Sequence, residues 1–355
     1  KPLENIPDQV LHKIRADQVI LANGHIERLI SFRNNDLPGV MLASSFEKYI
    51  ERYGVIPDVN PVIFSNNSST LSLLKTLIDL NCKPYAYIDS RPGNKLEKDL
   101  LNVIHENNIP LFTNAKIEGC QGKKQIEEVS VRDSKGNITK IKTNKLCISG
   151  GLNPDVHLFT QSKGVLIWDD QYLTFKPDTP FQNTIVIGSA GGIFSYGALG
   201  KDIDKKLKFL NLKQLGKIEF DLIESNDFFI EKLWEVKNEK KSPWSKSFID
   251  LQNDVTTNDL RQGIKEGFDR IEHLKRFTTN SMGTDQGKIS SINALGIVSE
   301  ILKKKISEVG TTIYRPPYAP LSFSSIAGRN TYEFYDPERK TPIHEWHKKN
   351  GAVFE

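Results

Sequence analysis

The chain has 355 residues, a formal net charge of +4 and a pI near 8.7, with Lys, Arg, Asp and Glu dispersed along its length. That length supports two or three cores, and the absence of a basic stripe with interleaved aromatics gives no support to nucleic-acid binding. No apolar run approaches the ~18 residues of a membrane span, and three widely separated cysteines (Cys82, Cys120, Cys147) suit a reducing, cytoplasmic compartment rather than a disulfide framework. With Lys1 at the start and methionine only at positions 41 and 282, the chain is expected to be an internal segment of a longer protein.

Lys13–Leu21 ends in a β-type run and enters Ala22-Asn23-Gly24, small residues that let backbone approach a ligand closely. His25-Ile26-Glu27-Arg28 follows, and Asn34-Asn35-Asp36-Leu37-Pro38-Gly39 is a turn. Pro61–Ser65 has the pattern of a buried strand, Ser69–Leu80 of a helix and Pro84–Ile88 of a second strand ending at Asp89. Asp89 stands where a βαβ unit places a ribose-binding acid, but the turn from Ser65 to Thr70 contains no glycine. The unit is therefore expected to be Rossmann-like without a dinucleotide, and Asp89 a strand-end residue. A helix over Lys95–Asn107 precedes short strands at Ile109–Phe112, Ile117–Gly119, Ile126–Arg132 and Ile138–Thr143, with a hairpin turn at Ser134-Lys135-Gly136-Asn137. Lys145–Ser149 returns to the main sheet and runs into Gly150-Gly151, beyond which His157 is expected to be structural.

Asn183–Gly188 is the last predicted strand of this region. It enters the glycine-rich stretch Ser189-Ala190-Gly191-Gly192, whose backbone donors at a helix start suit a phosphate, although the same stretch also serves as a plain structural turn. The run Lys237–Lys246, broken by Glu239 and Pro243, has the composition of a linker. A short strand at Phe248 then leads to two helices. The first is capped within Val255–Asp259 and carries Leu260, Ile264 and Phe268; the second starts at Asp269, with Ile271, Leu274 and Phe277 on its buried face. Ser281-Met282-Gly283-Thr284-Asp285-Gln286-Gly287 is a tight loop, and Ile292–Lys305 a helix with Leu295, Val298 and Leu302 on one face. Gly310-Thr311-Thr312-Ile313-Tyr314-Arg315-Pro316-Pro317-Tyr318 is stiff and extended, suited to presenting Arg315 to an anion. His344 and His347 have metal-like spacing but no third ligand nearby, so packing or a solvated role is expected.

The stretch Phe248–Ser290 resembles the small [2Fe–2S] domain of amine and opine dehydrogenases, whose four cysteines fall here at Asp250, Gln252, Asn280 and Asp285. Cluster iron needs thiolates, so a scaffold without its cluster is expected. That loss, together with Ala22-Asn23-Gly24, the Asn34–Gly39 turn, the Gly310–Tyr318 string and Arg339-Lys340-Thr341-Pro342-Ile343-His344, resembles the alpha-subunit family of heterotetrameric sarcosine oxidases. The resemblance implies an α/β fold. Residues 1–234 would be the later part of an FAD/NAD-binding, two-dinucleotide-type Rossmann domain, with 61–115 a Rossmann-like inserted subdomain. Residues 235–247 would be a linker, 248–306 a small helical degenerate [2Fe–2S]-like domain, and 307–355 the start of a glycine-cleavage T-protein-like α+β domain.

It further implies NAD held by Gly24, Ser189, Ala190, Phe194 and Tyr196, with Ser189 where a related fold carries the Asp that anchors FAD. FMN would sit at the interface with the beta subunit, its phosphate near Gln286, Lys288, Thr312 and Arg315. The beta subunit would carry FAD, and tetrahydrofolate would lie in a domain beyond Glu355. The partners would be beta, gamma and delta subunits, and the reaction the oxidation of sarcosine with tetrahydrofolate and O2. No catalytic acid, base, nucleophile or metal ligand is expected in this chain. The rival readings are a subunit of an opine or hydroxyproline dehydrogenase and a non-catalytic nucleotide-binding scaffold.

Overall fold

The computed structural model describes residues 9–55, 60–209, 229–237, 245–327 and 339–354. The side chains of 196 and 207–209 are outside it, as are most of the expected linker (238–244), the end of the expected first domain (210–228) and Asp336-Pro337-Glu338. The chain divides into two compact units, 17–316 and the terminal segments 1–16 with 317–355.

The larger unit begins with β1 (Val19–Leu21), β2 (His25–Glu27), β3 (Val40–Leu42) and α1 (Ala43–Tyr53). Ala43, Phe46 and Ile50 form the buried stripe of α1, and the helix stops at Gly54, whose φ of +65° suits glycine and whose N–H caps Ile50 O. There follow β4 (Val62–Ser65), α2 (Leu71–Asp79), β5 (Ala86–Asp89), α3 (Lys98–Glu106) and β6 (Leu111–Phe112). A meander of β7 (Lys116–Gln121), β8 (Glu128–Arg132) and β9 (Ile138–Lys142) leads to β10 (Leu146–Ser149). Five strands make a parallel sheet in the order β3-β10-β4-β5-β6.

The alternation of side chains along these strands divides the core. Ile63, Tyr87 and Cys147 face the helices α1 to α3, against Phe46, Leu73, Leu77 and Leu100. Val62, Phe64, Ile88, Leu146 and Ile148 face the opposite way, onto Ile117, Cys120, Val129 and Val131 of the meander. Both faces are covered, which is why these strands are continuously apolar rather than alternating. Each such fully buried side chain contributes about 1.5–3 kcal/mol.

Beyond the sheet come β11 (Leu152–Pro154), α4 (His157–Gln161), the hairpin β12 (Leu166–Asp169) and β13 (Thr174–Pro177), then β14 (Thr184–Val186) and α5 (Tyr196–Phe209). β11 pairs antiparallel with β2, and β14 parallel with β1. Arg28 ties this region together. Fully buried, it donates to Gly150 O (2.6 Å), Asn153 Oδ1 (2.7 Å) and Leu173 O (2.8 Å) and lies over the Trp234 ring at 5.1 Å. Burial pushes its pKa down to about 9.

The unit ends with β15 (Phe248–Asp250), β16 (Val255–Thr256), α6 (Thr257–Lys265), α7 (Ile271–Thr278), α8 (Ser291–Leu302) and α9 (Ile306–Val309). Thr256 caps α6 through a capping box: Asp259 N–H donates to its Oγ1 and Thr256 N–H to Asp259 Oδ2 (2.7 Å). Leu260, Ile271, Leu274, Leu295 and Val298 share a third core with Trp234. Phe277 departs from the expected buried face and is 46% exposed. The core side of α7 is already filled by Ile271 and Leu274, so Phe277 lies at its margin and stacks on Phe268 at 4.7 Å, past the end of α6. The helix expected to reach Lys305 stops at Leu302 because Lys303 adopts a left-handed conformation (φ +55°).

In the smaller unit Gln9 Oε1 accepts from the N–H (3.2 Å) and hydroxyl (2.7 Å) of Ser322, which precedes α10 (Phe323–Ala327). In α11 (His344–Lys349) the His344 ring packs on Phe354 at 4.7 Å. Among the described residues no helix is long and apolar enough to cross a membrane, and no three His, Cys, Asp or Glu side chains converge to hold a metal ion.

Candidate functional site

The parallel register of β1 and β14 (Leu21 beside Val186) brings two glycine turns to one edge. After β1, Asn23 Nδ2 donates to Asp155 O (2.6 Å) and Gly24 turns with φ +84°; a Cβ there would meet nothing within 4 Å, so the space over this turn is open. After β14, Gly188 (φ +68°) starts a 3-10 turn, Gly188–Gly191, that leads towards α5. Ser189 Oγ and His25 Nδ1 are 2.9 Å apart, and the His25 ring meets Phe194 edge-on at 6.0 Å. Phe194 in turn packs edge-on against Tyr172 at 5.2 Å.

The structure thus gathers Gly24, Ser189 and Phe194. Ala190 is buried beneath them, and Tyr196 is the first residue of α5, its side chain outside the described ones. Sequence reasoning missed His25 and Tyr172 as parts of this face. His25 was detectable from its place directly after Gly24; Tyr172 comes from a hairpin and leaves no local signal. Burial lowers the His25 pKa, favouring a neutral imidazole although the side chain still reaches solvent. Open space over one glycine, a second glycine turn before a helix and an aromatic wall fit the close approach of a dinucleotide.

The other nucleotide-type turn, between β4 and α2, is built differently. Asn67 N–H donates to Ser65 Oγ (3.2 Å), Ser69 N–H to Asn67 Oδ1 (2.8 Å) and Asn67 Nδ2 to Ser149 Oγ (3.2 Å). Asp89, fully buried, is held by Arg91 through Nε to Oδ1 and Nη2 to Oδ2, both 2.9 Å.

The four residues expected near an FMN phosphate do not form one group. Gln286 clamps the backbone of Arg315, donating to its carbonyl (2.7 Å) and accepting from its N–H (2.8 Å); Gln161 also donates to that carbonyl (2.9 Å). Thr312 is buried. Lys288 lines a small cavity of about 20 Å³ with His157, Ser291 and Tyr314. Of the four, Arg315 is exposed while Gln286 and Lys288 are half-buried, and Lys275 lies close enough to feel the Arg315 charge. Burial lowers the Lys275 pKa, the Glu272 carboxylate opposes this, and the charges of Arg315 and Arg276 lower it further. This cationic group suits an anion, and sequence reasoning had only Arg315 of it. His157 has the expected structural role: buried, with Nδ1 3.0 Å from Asp155 Oδ1, it stacks on Tyr314 at 3.6 Å.

The positions matched to cluster cysteines are joined by hydrogen bonds. Asp250 Oδ1 accepts from the N–H groups of Gln252 (2.9 Å) and Asn253 (3.2 Å), and Oδ2 from that of Ser281 (2.7 Å). Asn280 donates to Ser281 Oγ (2.9 Å), and Asp285 Oδ1 accepts from Gly287 N–H (3.0 Å). Gly283 packs so closely on the Gln252 side chain that a Cβ would collide with it. Two carboxylates and two amides, spent on local backbone and hydroxyls, do not fit an iron–sulfur cluster.

The sarcosine oxidase A3 domain family matches residues 244–329. The chain is 32% identical over 361 residues to the alpha subunit of sarcosine oxidase from Rhizobium meliloti (strain 1021), a match spanning 100% of this chain and 35% of that protein. It is 22% identical over 355 residues to an opine oxidase subunit of Rhizobium meliloti, spanning 88% of this chain and 66% of the relative. Among solved structures, L-proline dehydrogenase from P. horikoshii superposes with a TM-score of 0.62 at 20% identity, covering 88% of this chain and 59% of that one. That likeness shows a Rossmann-like α/β fold. The chain spans about a third of the length of the sarcosine oxidase subunits it matches, and by that end-to-end correspondence and its A3 segment it belongs to the sarcosine oxidase alpha-subunit family.

Proposed function

We propose that this chain is the nucleotide-binding and partner-facing part of a cytoplasmic sarcosine oxidase. The complete enzyme would convert sarcosine, tetrahydrofolate and O2 to glycine, 5,10-methylenetetrahydrofolate and hydrogen peroxide. The observation that carries the reading is the 32% identity, along this whole chain, to the alpha subunit of a sarcosine oxidase.

Gly24, Ser189 and Phe194 hold NAD in this reading, with Ala190 packed beneath and Tyr196 at the start of α5. Neutral His25 orients the Ser189 hydroxyl. The cationic group at Arg315, with Lys275 and Arg276, faces the FMN phosphate at the beta-subunit interface. Gln286 fixes the Arg315 backbone, and Thr312 and Lys288 support the segment from behind. When bound there, FMN supplies reoxidation by O2. FAD and amine oxidation belong to the beta subunit, and tetrahydrofolate to the domain that begins within 307–355. Gamma and delta complete the assembly.

A dehydrogenase of the opine type is the second reading, favoured by the match to the opine oxidase subunit of Rhizobium meliloti. The donor set at Asp250, Gln252, Asn280 and Asp285 weighs against a cluster-bearing version of it. A non-catalytic nucleotide-binding scaffold stands third. The test is the complete alpha subunit co-expressed with its partners, assayed for peroxide and methylenetetrahydrofolate from sarcosine, with bound NAD and iron quantified in the same sample. Both products with NAD and no iron is the expected result. Stoichiometric iron, or electron transfer to a dye without peroxide, selects the dehydrogenase; bound NAD with neither activity selects the scaffold.

A further inference from the structure

In an open parallel sheet a ligand binds beyond the carboxyl ends of the strands, at the point where strand order reverses. Here that point lies between β4 and β10, where Ser65 and Ser149 end adjacent strands. The mouth of this crevice holds the chain's own segment Phe229–Glu231. Arg91 Nη1 donates to Phe229 O (2.9 Å), Asn66 Nδ2 to Glu231 O (2.8 Å), and Glu231 N–H to Asn66 O (2.9 Å). Ile230 is buried against Gly151, where a Cβ would collide with it, and Lys95 Nζ sits 5.4 Å from the Phe229 ring centroid.

The same segment continues into the helical region. Trp234 O accepts from Ser31 N–H (3.2 Å), and Glu235 pairs with Arg261 of α6. A dinucleotide in this crevice needs a free acid at the end of β5, donors free in the turn and an empty mouth. Arg91 holds the acid, Asn67 and Ser65 engage the turn, and Phe229–Glu231 covers the mouth.

We infer that Phe229–Glu231 is a permanent internal occupant of the crevice: it takes the place of a dinucleotide and ties the parallel sheet to the helices that follow. Its corollary, that NAD goes to the Gly24–Ser189 face alone, rests on the proposed function; the strap itself does not.

Amide hydrogen exchange of the complete subunit, with and without NAD, tests both separately. In the nucleotide-free protein the peptide carrying Ile230 and Glu231 is expected to exchange as slowly as that of β4, at least about 1000-fold slower than an open chain. In Ile230→Gly it accelerates roughly tenfold or more while β4 stays slow. Phe229→Ala, at a half-exposed position, serves the same comparison if the glycine variant does not fold. NAD is expected to slow exchange at 22–24 and 187–194 and to leave 65–70, 89–91 and 229–231 unchanged. Rapid exchange at 230–231 in the nucleotide-free protein, or slowing at 65–70 and 89–91 on adding NAD, overturns the inference. If NAD slows nothing anywhere, the NAD reading fails, and slow exchange at 230–231 still establishes the strap.

Discussion

Two turns of this molecule occupy positions where α/β folds bind nucleotides, and they are made in opposite ways. At the β1–β14 edge, Gly24 with its positive φ leaves open space, and the side chains near it (His25, Ser189, Phe194) stand at its rim. At the β4–β10 crevice, asparagine and serine side chains turn inward and satisfy the backbone themselves, and Asp89 is paired by Arg91. Backbone donors can serve a ligand only while nothing in the chain has taken them. The second region has converted its donors into internal structure, whereas at the first the space over Gly24 stays open.

The sharpest way to break this contrast is Arg91→Ala, which leaves the Asp89 carboxyl buried without its partner. It is expected to lower the unfolding free energy by roughly 3–5 kcal/mol, read from urea denaturation. A loss under about 1 kcal/mol would mean that the crevice opens to water and is not closed as described. Asp250→Ala tests the second place where side chains have taken over, the joined loops at 250–254 and 279–287. It removes the acceptor of three backbone N–H groups, and a cost of about 2–3 kcal/mol is expected in the same measurement.

Gly24→Ala sharpens the other side of the comparison. Nothing within 4 Å opposes the new methyl, so only the strain of a positive φ, about 1 kcal/mol, is expected in stability. Calorimetric affinity for NAD should nevertheless fall about tenfold or more, because the methyl enters the space the ligand needs. Unchanged NAD affinity would move the nucleotide elsewhere.

The smallest effect concerns Glu27, on the strand that joins the two regions. Burial raises its pKa above the ordinary 4.5, outweighing its bonds from Ser149 and from the N–H (2.8 Å) and hydroxyl (2.7 Å) of Ser44. Between the unfolded and folded pKa values the native state holds the proton and the unfolded chain releases it. Stability therefore falls as pH rises through that window and is flat above it. Glu27→Gln should abolish this slope in unfolding free energies measured from about pH 4 to pH 8.

Much of the fold was legible from local pattern. The apolar runs of β4, β5 and β10 announce strands covered on both faces, and Thr256 with Asp259 announces the start of α6 through a hydrogen bond made within one turn. The glycine-less turn at Asn66-Asn67 already argued against a dinucleotide. Phe277 was misplaced because helical spacing locates a side chain on a face but does not say where the core ends.

Of the candidate site, the sequence nominated Gly24, Ser189, Ala190, Phe194 and Tyr196 but gave no sign of Tyr172 or of the His25 contact. Pairing of β1 with β14 brings His25, next to Gly24, to Ser189 across 164 positions of chain, and no local signal joins Tyr172 to Phe194 or Lys275 to Arg315. The Asn66–Glu231 contact likewise spans 165 residues and that of Arg91 with Phe229 spans 138. What this sequence determined by itself is what neighbouring residues settle between them: strand and helix type, caps, the backbone freedom of each glycine, and the loss of thiolates at four positions. Which distant segment meets each turn was decided only in the tertiary structure, because Phe229–Glu231 reaches Asn66 and Arg91, and Ser189 reaches His25, from far along the chain.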